Sequence, residues 1–371
     1  MKKILIVDSR ATRENPLFNI FEELGRKDFA FYFFGNKASF LYKKFLEKHW
    51  PAETSFFLPL KRQPVISTLL FPLSFFFYFA LLARLKFKHG IEELILWNEK
   101  EKTFFTPAGR ILKIRSVWME APENPPARFG LFYRLNSRAA RLVASSSAGR
   151  ERILKKGLGG ESVSVIQPGI RLNLRERQDN IFSGLAQADA KFKRSFFTVG
   201  TVVELDKKQR VESLLKAIKI CLPVIPNLQL IIVGEGEERK NLGWLAKKMG
   251  IDTMSWFVGR QNHLRKWLDS FDVYVETNEL PGAADLETVL RAMEAGLPVI
   301  GPNDSDLGDI VHENKTGSLI ELDNSEMLAR QIIKLYKDKK LRLKIGELAR
   351  ERVTNHFTAE RQIAEFEHLF V

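Results

Sequence analysis

The sequence predicts an α/β protein with two doubly wound parallel sheets, and three observations carry this prediction. Across residues 199–320, short apolar runs end at Gly, Asn or acidic residues and alternate with amphipathic helical stretches. A parallel sheet covered by helices requires that order. The first half repeats the order with weaker turn signals, beginning with KKILIVD (2–8). The chain has 371 residues and 45% apolar content, which is enough for two cores.

Each segment of the second half has a place in this scheme. The strand-to-helix units are VGTVVELDKKQRVESLLKAI (199–218) and LQLIIVGEGEERKNLGWLAKKMGI (228–251). Further strands are predicted in FVGR (257–260), FDVYVETNELPG (271–282), AMEAGLPVIG (292–301) and GDIVHENKTGSLI (308–320). The polar ends of these strands should meet at one edge of the sheet, where such sheets bind ligands.

The first half reads as a second α/β domain. Its predicted strands lie at 2–8, 29–35, 93–98, 113–120, 142–147 and 162–170, and its predicted helices at 15–27, 39–50, 129–141 and 148–157. We therefore expect an N-terminal domain over 1–175, a polar linker over 171–194, a C-terminal domain over 195–355 and a terminal helix within 356–371.

The positive charge of the chain lies entirely in its first half. Residues 1–180 contain 31 Lys and Arg against 17 Asp and Glu, a net of +14, whereas residues 181–371 contain 27 against 28, a net of −1. The same half holds 20 of the 29 Phe. This combination favours an anionic membrane surface or a phosphate-bearing acceptor over nucleic acid. The alternative is a solvated basic face with no ligand.

One uncharged stretch raises the question of a membrane span. VISTLLFPLSFFFYFALLA (65–83) has nineteen residues without a charge, basic residues on both sides and Pro72 in the middle. Equal flanking charge gives no orientation and Pro breaks helices, so a buried or membrane-resting helix is expected rather than a span. MKKILIVD begins a strand instead of a signal peptide. We expect a cytoplasmic protein, peripheral at the inner face of the cell membrane.

Cysteine and histidine usage predicts neither a disulfide nor a metal site. Cys221, the single cysteine, lies in the helical run LLKAIKICL and should be a buried, inert thiol. The six His show no ligand spacing. No cofactor is expected.

Two motifs of the second half identify a family. VGEGEERKNLGWLAKKMG (233–250) and AMEAGLPVI (292–300) resemble the strand–Gly-x-Gly–helix unit and the helix-to-strand passage of the family 4, or group 1, retaining glycosyltransferases. The resemblance covers residues 195–360 well and the first half in outline. It implies the GT-B fold, in which two Rossmann-like domains face each other across a cleft and the terminal helix packs on the N-terminal domain.

The resemblance also implies an activity. Such enzymes transfer a sugar, with retention, from a nucleotide-diphosphate sugar to a glycan or lipid-linked acceptor, here in cell-envelope glycan biosynthesis. The family places an Arg and a Lys after the first strand of its second domain, and two Glu separated by seven residues near the Ala-Met pair. Those four positions hold Glu204, Gln209, Ala283 and Arg291. A catalytically degenerate binding or partner subunit is therefore the rival, and a lipid-phosphate sugar donor is a third possibility.

Compensating residues are available nearby. Glu279 and Glu287 are also separated by seven residues and could act as a displaced catalytic pair. Arg291 could oppose Glu204 across the site, or form an ordinary helical pair with Glu287. Glu120, at the end of VWME, lies near a family position that faces the acceptor, although helix capping is an equal alternative.

The remaining candidates for donor binding lie at strand ends and turns. With Glu204 and Arg291, they are Gly200, Thr201, Lys207, Lys208, Gly234, Gly236, Arg260 and Gly282. In the first half, Asp8, Ser9, Arg10 and Arg13 replace the family's Gly-Gly turn, which suggests an altered contact to donor phosphate or acceptor.

Overall fold

The computed structural model describes residues 1–10, 15, 17–54, 71–120, 130–159, 163–172, 196–261, 263–278, 283–303 and 306–371. The chain divides into two units: Met1–Gln167 with Ile363–Val371, and Pro168–Gln362. This division falls before the predicted boundary at 175 because Ile170 N donates to Phe357 O (2.9 Å) and Ala359 N donates to Ile170 O (2.9 Å). Most of the predicted linker lies outside the described residues.

The first unit has a seven-stranded parallel sheet in the order β3-β2-β1-β4-β5-β6-β7. Its strands are β1 (Lys2–Asp8), β2 (Phe29–Gly35), β3 (Ala52–Thr54), β4 (Glu93–Leu96), β5 (Arg115–Glu120), β6 (Arg141–Ala144) and β7 (Val163–Val165). Its helices are α1 (Phe18–Gly25), α2 (Phe40–Glu47), α3 (Phe71–His89), α4 (Glu99–Ile111), α5 (Gly130–Ser137) and α6 (Ser147–Lys155).

Strand β1 is apolar on both faces because each face meets a different core. Ile4 and Ile6 belong to the cluster that contains α1 and α2 residues, whereas Leu5 and Val7 belong to the cluster that contains α3 and α4 residues. Continuous apolar strands of this kind are typical of a parallel sheet covered on both sides.

Helix α3 corrects one expectation about the uncharged stretch. The described helix runs from Phe71 to His89 and includes Pro72 near its described start. Pro72 therefore does not break the helix, and the helix continues to His89. Residues 65–70 lie outside the described part of the chain. Among the described helices, none combines the length and apolar character needed to cross a bilayer.

The second unit has a six-stranded parallel sheet in the order β10-β9-β8-β11-β12-β13. Its strands are β8 (Phe197–Val202), β9 (Leu228–Val233), β10 (Ser255–Gly259), β11 (Val273–Val275), β12 (Val299–Pro302) and β13 (Gly317–Ile320). Its helices are α7 (Val211–Cys221), α8 (Arg239–Met249), α9 (Leu264–Leu268), α10 (Ala283–Glu294), α11 (Ser325–Lys337) and α12 (Lys339–His356). The predicted α/β class with two doubly wound parallel sheets is confirmed.

The last helix, α13 (Ala359–Phe370), contributes to the core of the first unit. Its residues from Ile363 onward group with that unit, and the rings of Phe370 and Phe29 lie 6.0 Å apart. Cys221 is buried in the second unit. Burial raises the pKa of its thiol to about 12, which leaves it protonated and unreactive at neutral pH.

Candidate functional site

The carboxyl edge of the second sheet has a point where the chain reverses its direction of travel across the sheet. Strand β8 is followed by β9 on one side, and the chain later returns to place β11 on the other side. Ligands of doubly wound folds bind at this kind of switch point. Three segments leave the sheet around it: 203–205 after β8, 234–236 after β9 and 276–278 after β11.

The Gly-x-Gly turn after β9 holds the segment after β8. A Cβ on Gly234 would lie 1.8 Å from the Val203 carbonyl oxygen, and one on Gly236 would lie 2.1 Å from the Leu205 carbonyl oxygen. Gly234 also has a φ of 149°, which side-chain-bearing residues rarely adopt. Leu205 N donates to Glu235 O (3.0 Å). Both glycines are therefore needed for close backbone packing, which positions residues 203–205 beside the switch point.

Glu276 is the most perturbed acid at this edge. It follows β11 directly and is buried. Burial raises the pKa of its carboxyl group to about 8, and the nearby Asp285 carboxylate adds to the effect. Glu276 therefore carries a proton at neutral pH. A neutral carboxyl group can donate a hydrogen bond, and it does not repel a phosphate oxygen.

Side chains and backbone around Glu276 form a fixed network. Asn278 N donates to Glu276 Oε1 (2.9 Å), and Asn278 Nδ2 donates to Asp285 Oδ2 (3.0 Å), which joins the end of β11 to the first turn of α10. The Tyr274 hydroxyl lies 3.4 Å from Glu276 Oε2 and 3.4 Å from Val202 O. Burial, followed by the Glu276 and Asp285 charges, raises the pKa of Tyr274 well above its ordinary value. The network fixes Glu276 between two strand ends.

Three buried polar atoms near this edge have no hydrogen-bond partner among the described residues. They are Thr201 Oγ1 in β8, Gln209 Oε1 before α7 and Thr277 Oγ1 after β11. Buried polar atoms in native proteins are nearly always satisfied by protein, water or ligand. A cavity of about 30 Å³, lined in part by Glu276 and Thr277, has room for a water-sized group. The edge is thus able to accept polar ligand atoms.

The sequence predicted that residues 276–291 line the site, but Glu276, Asn278 and Asp285 were not among its individual candidates. Its register was counted back from Ala292 and Met293, so attention went to the family's two Glu positions. The signal was nonetheless present, because VYVETN places an acid directly after a short apolar strand at the switch point. Of the predicted residues, the structure places Thr201 close to this group in the sheet.

The ion pairs at the predicted donor site do not include the expected pair of Glu204 with Arg291 among those that the described residues form. Arg291 Nη2 donates to Glu287 Oε1 at 2.6 Å, the ordinary helical i,i+4 pair. Glu204 Oε1 lies 4.0 Å from Arg260 Nη2, and both side chains are substantially exposed. Of the two alternatives for Arg291, the structure thus has the helical pair with Glu287, while Glu204 lies near Arg260, which follows β10.

Some of the other predicted residues lie in the part of the chain that the structure describes, and some lie outside it. A Cβ on Gly200 would lie 2.1 Å from the Phe271 ring, so this glycine is required for packing inside the sheet. Lys207 is exposed and lines a cavity of about 480 Å³ at the start of α7. Predicted residues outside the described part are Glu279, Gly282 and Arg13, together with the side chains of Glu120 and Lys208.

The first sheet has its own polar cluster at the corresponding edge. Its switch point lies between β1 and β4. Arg10 Nε donates to Asp8 Oδ1 (2.9 Å), and Ser9 N donates to Glu101 Oε1 (2.6 Å). Glu101 also accepts Asn98 N (3.0 Å), as the capping box of α4. Burial, with the Asp8 charge, raises the pKa of Glu101. The predicted loop after β1 is therefore held by the side chain of Asp8 and by that of Glu101 in α4.

Metal chemistry has no visible support in these residues. Within the ranges that the structure describes, no group of three His, Cys, Asp or Glu side chains is placed to hold an ion. The chemistry available at the second sheet is thus that of a neutral carboxyl, hydroxyls, amides and exposed cations.

Comparison with known sequences points to one family. Residues 186–352 match the family model described as glycosyl transferases group 1. The N-acetyl-alpha-D-glucosaminyl L-malate synthase of Bacillus anthracis is 29% identical over 165 residues, which cover 44% of this chain and 42% of that protein. The lipopolysaccharide core biosynthesis glycosyltransferase LpsE of Rhizobium meliloti is 26% identical over 136 residues, covering 37% and 39%. The matches thus span about two fifths of these relatives.

Comparison with solved structures extends over the whole chain. HepE from Anabaena in complex with UDP has a TM-score of 0.78 at 18% identity, covering 100% of this chain and 99% of that one. A glycosyltransferase from Rickettsia africae has a TM-score of 0.81 at 14% identity, covering 100% and 97%. At such identities the likeness concerns the fold. The predicted resemblance is confirmed over residues 186–352, which match the group 1 glycosyl transferase model, and the chain has the GT-B fold.

Proposed function

We propose that this protein transfers a sugar, with retention, from a nucleotide-diphosphate sugar to a glycan or lipid-linked acceptor at the cytoplasmic face of the cell membrane. One observation carries the proposal. The residues that match the family model include those that build the switch point of the second sheet, where Glu276 is buried after β11 and the Thr201 and Thr277 hydroxyls are buried without a hydrogen-bond partner among the described residues. Retention and a cell-envelope acceptor rest on the family resemblance and on relatives named for lipopolysaccharide and capsule synthesis.

The donor must fit the carboxyl edge of the second sheet, where the neutral Glu276 does not repel phosphate oxygens. UDP is bound to HepE, so uridine diphosphate sugars are the first donors to test. As the sugar leaves, negative charge grows on the diphosphate and needs cations or hydrogen-bond donors. Arg260 is the described cation closest to Glu204, and the protonated Glu276 supplies a donor without adding charge.

The charge of Glu204 should weaken diphosphate binding at this site, and the charge of Arg260 should offset that effect. A carboxylate facing a diphosphate repels it, but the exposed Glu204–Arg260 pair is long, at 4.0 Å. Exposed pairs contribute little to stability, so a diphosphate can draw Arg260 away from Glu204 at small cost. Replacing Glu204 with Gln should therefore tighten UDP binding about two- to fivefold, the range that exposed charges give.

The experiment measures UDP binding by calorimetry and sugar transfer by product analysis. Wild type should bind UDP, and donor and product should have the same anomeric configuration in proton NMR spectra of the transfer reaction. Glu276→Ala tests the site, because it removes the hydrogen-bond donor that the protonated Glu276 supplies, and UDP binding should weaken. Glu326→Gln, an exposed carboxylate of α11, is the matched control. Failure of UDP, GDP, ADP and dTDP alike to bind would refute a nucleotide-sugar donor.

A second candidate function follows from the altered charges. Ala283 and Arg291 occupy the family's two Glu positions, and Arg291 is occupied by Glu287. A protein that binds a nucleotide or glycan without transferring sugar fits these replacements. Tight UDP binding without hydrolysis or transfer, over all donors and acceptors tried, would favour this binding subunit over the enzyme.

A further inference from the structure

Helix α3 is apolar on two opposite faces, and one of them packs in the protein. Ser74, Tyr78, Leu82 and Leu85 are buried, at helical spacing. The Tyr78 ring lies 5.1 Å from that of Phe104 in α4. This inner face belongs to the core of the first unit. Packing in that core explains the apolar residues on this side of the helix, but not those on the other side.

The opposite face of α3 is apolar and open to solvent. Leu73 and Phe76 are each 67% exposed, Phe77 is 44% exposed and Phe87 is 83% exposed. At 3.6 residues per turn, this outer face covers about 100° of the helix circumference. Its members are Leu73, Phe76, Phe77, Ala80, Arg84 and Phe87. Isolated exposed apolar residues are ordinary, but Leu73, Phe76 and Phe77 form a cluster in the first half of the helix, and such a cluster marks an interaction surface.

Cations surround the C-terminal end of this outer face. Glu53 pairs with Lys88 (2.6 Å) and lies 3.5 Å from Arg84, so two cations share one carboxylate. Lys86 Nζ donates to Leu112 O at the end of α4. Arg110, Lys113 and the 63% exposed Ile111 are neighbours of Leu112 in sequence and are exposed. The charge of the patch is therefore positive, and a partner that fits it is apolar beneath an anionic surface.

We propose that the outer face of α3 rests on an anionic lipid bilayer, with the helix parallel to the surface. Phe and Leu side chains would enter the boundary between headgroups and acyl chains, while Arg84, Lys88 and the end of α4 meet anionic headgroups. The helix is about 28 Å long at 1.5 Å per residue, and it is fixed on its inner face by Tyr78 and Leu82. It therefore lies on the membrane and does not enter it end-on.

This assignment is independent of the donor site. Binding to vesicles can fail while UDP binding and sugar transfer persist, and the reverse holds equally. The two proposals are thus distinguished by separate measurements on the same preparations.

The experiment is flotation with phosphatidylcholine vesicles, with and without phosphatidylglycerol. Wild type should float with the anionic vesicles, and added salt should weaken the binding, since the Debye length falls to about 3 Å at 1 M salt. The double variant Phe76→Ser, Phe77→Ser should lose binding at least about tenfold. Arg84→Gln with Lys88→Gln should lose up to about fivefold per charge, on anionic vesicles only.

Leu46→Ser is the matched control, because Leu46 is a half-exposed apolar residue of α2 in the same unit. Its flotation should equal that of wild type, and all variants should keep the wild-type circular dichroism spectrum. Equal flotation of wild type and the double Phe variant would overturn the proposal. So would a wild-type dimer that the Phe substitutions dissociate without any vesicle binding, because the outer face would then meet a second copy of this chain.

Discussion

Replacing Glu276 with Gln should remove a pH dependence of stability that this one carboxyl group creates. Its pKa is about 8 in the folded protein, against an ordinary value of 4.5. Between these values the folded state holds a proton that the unfolded state has released, so wild-type stability falls as pH rises through this window. From pH 5 to pH 8 the loss from this group is on the order of 3–4 kcal/mol, at about 1.4 kcal/mol per pKa unit. The Glu276→Gln variant has no such loss, because its amide does not titrate.

The assay is urea unfolding of both full-length proteins at pH 5, 6, 7 and 8. The stability difference, wild type minus Glu276→Gln, should fall steadily across this range. Asp285→Asn should lower the pKa of Glu276 in the folded protein, because the Asp285 charge helps to raise it. The stability difference should then stop falling at a lower pH. Glu287→Gln removes a carboxylate that pairs with Arg291 on the same domain, and its curve should run parallel to that of wild type. A wild-type minus Glu276→Gln difference that is the same at every pH would refute the reasoning.

Three further substitutions test the structure around the two switch points. Gly234→Ala should destabilise the protein by at least about 2 kcal/mol in urea unfolding, because its Cβ would overlap the Val203 carbonyl oxygen; a loss below about 0.5 kcal/mol would contradict that packing. Phe370→Ala should cost about 3–5 kcal/mol, since the side chain is buried in the core of the first unit; a neutral effect on the melting temperature would place the last helix elsewhere. Glu101→Ala should cost about 1–3 kcal/mol by leaving the Ser9 and Asn98 amides without their acceptor, and unchanged amide hydrogen exchange at these residues would argue against it.

The strands were predictable because their signal is local. KKILIVD, LQLIIV and LPVIG are apolar runs bounded by polar turns, and parallel strands need no more than this. The three-residue edge strand β3 (Ala52–Thr54) was missed because AET has no apolar run. The bonds between Ile170 and residues 357–359 join segments far apart in sequence, so local patterns give no sign of them.

The site was less predictable because its chemistry depends on burial and on contacts between elements. Nothing local in the sequence says that Glu276 is enclosed, yet this burial is what raises the pKa of its carboxyl group. The pairing of Arg291 with Glu287 is a local helical interaction and was among the alternatives. The meeting of Asn278 with Asp285 depends on how α10 begins beside β11, which spacing alone does not give.

Hydrogen exchange with mass spectrometry, in the absence and presence of UDP, tests the central claim most directly, because it localises nucleotide binding along the chain. We expect slowed exchange in peptides that cover 200–206, 233–238 and 274–278, the three segments that meet at the switch point of the second sheet. Exchange that is unchanged in all three at saturating UDP, or protection confined to residues 1–167, would contradict a nucleotide-sugar site in the second unit.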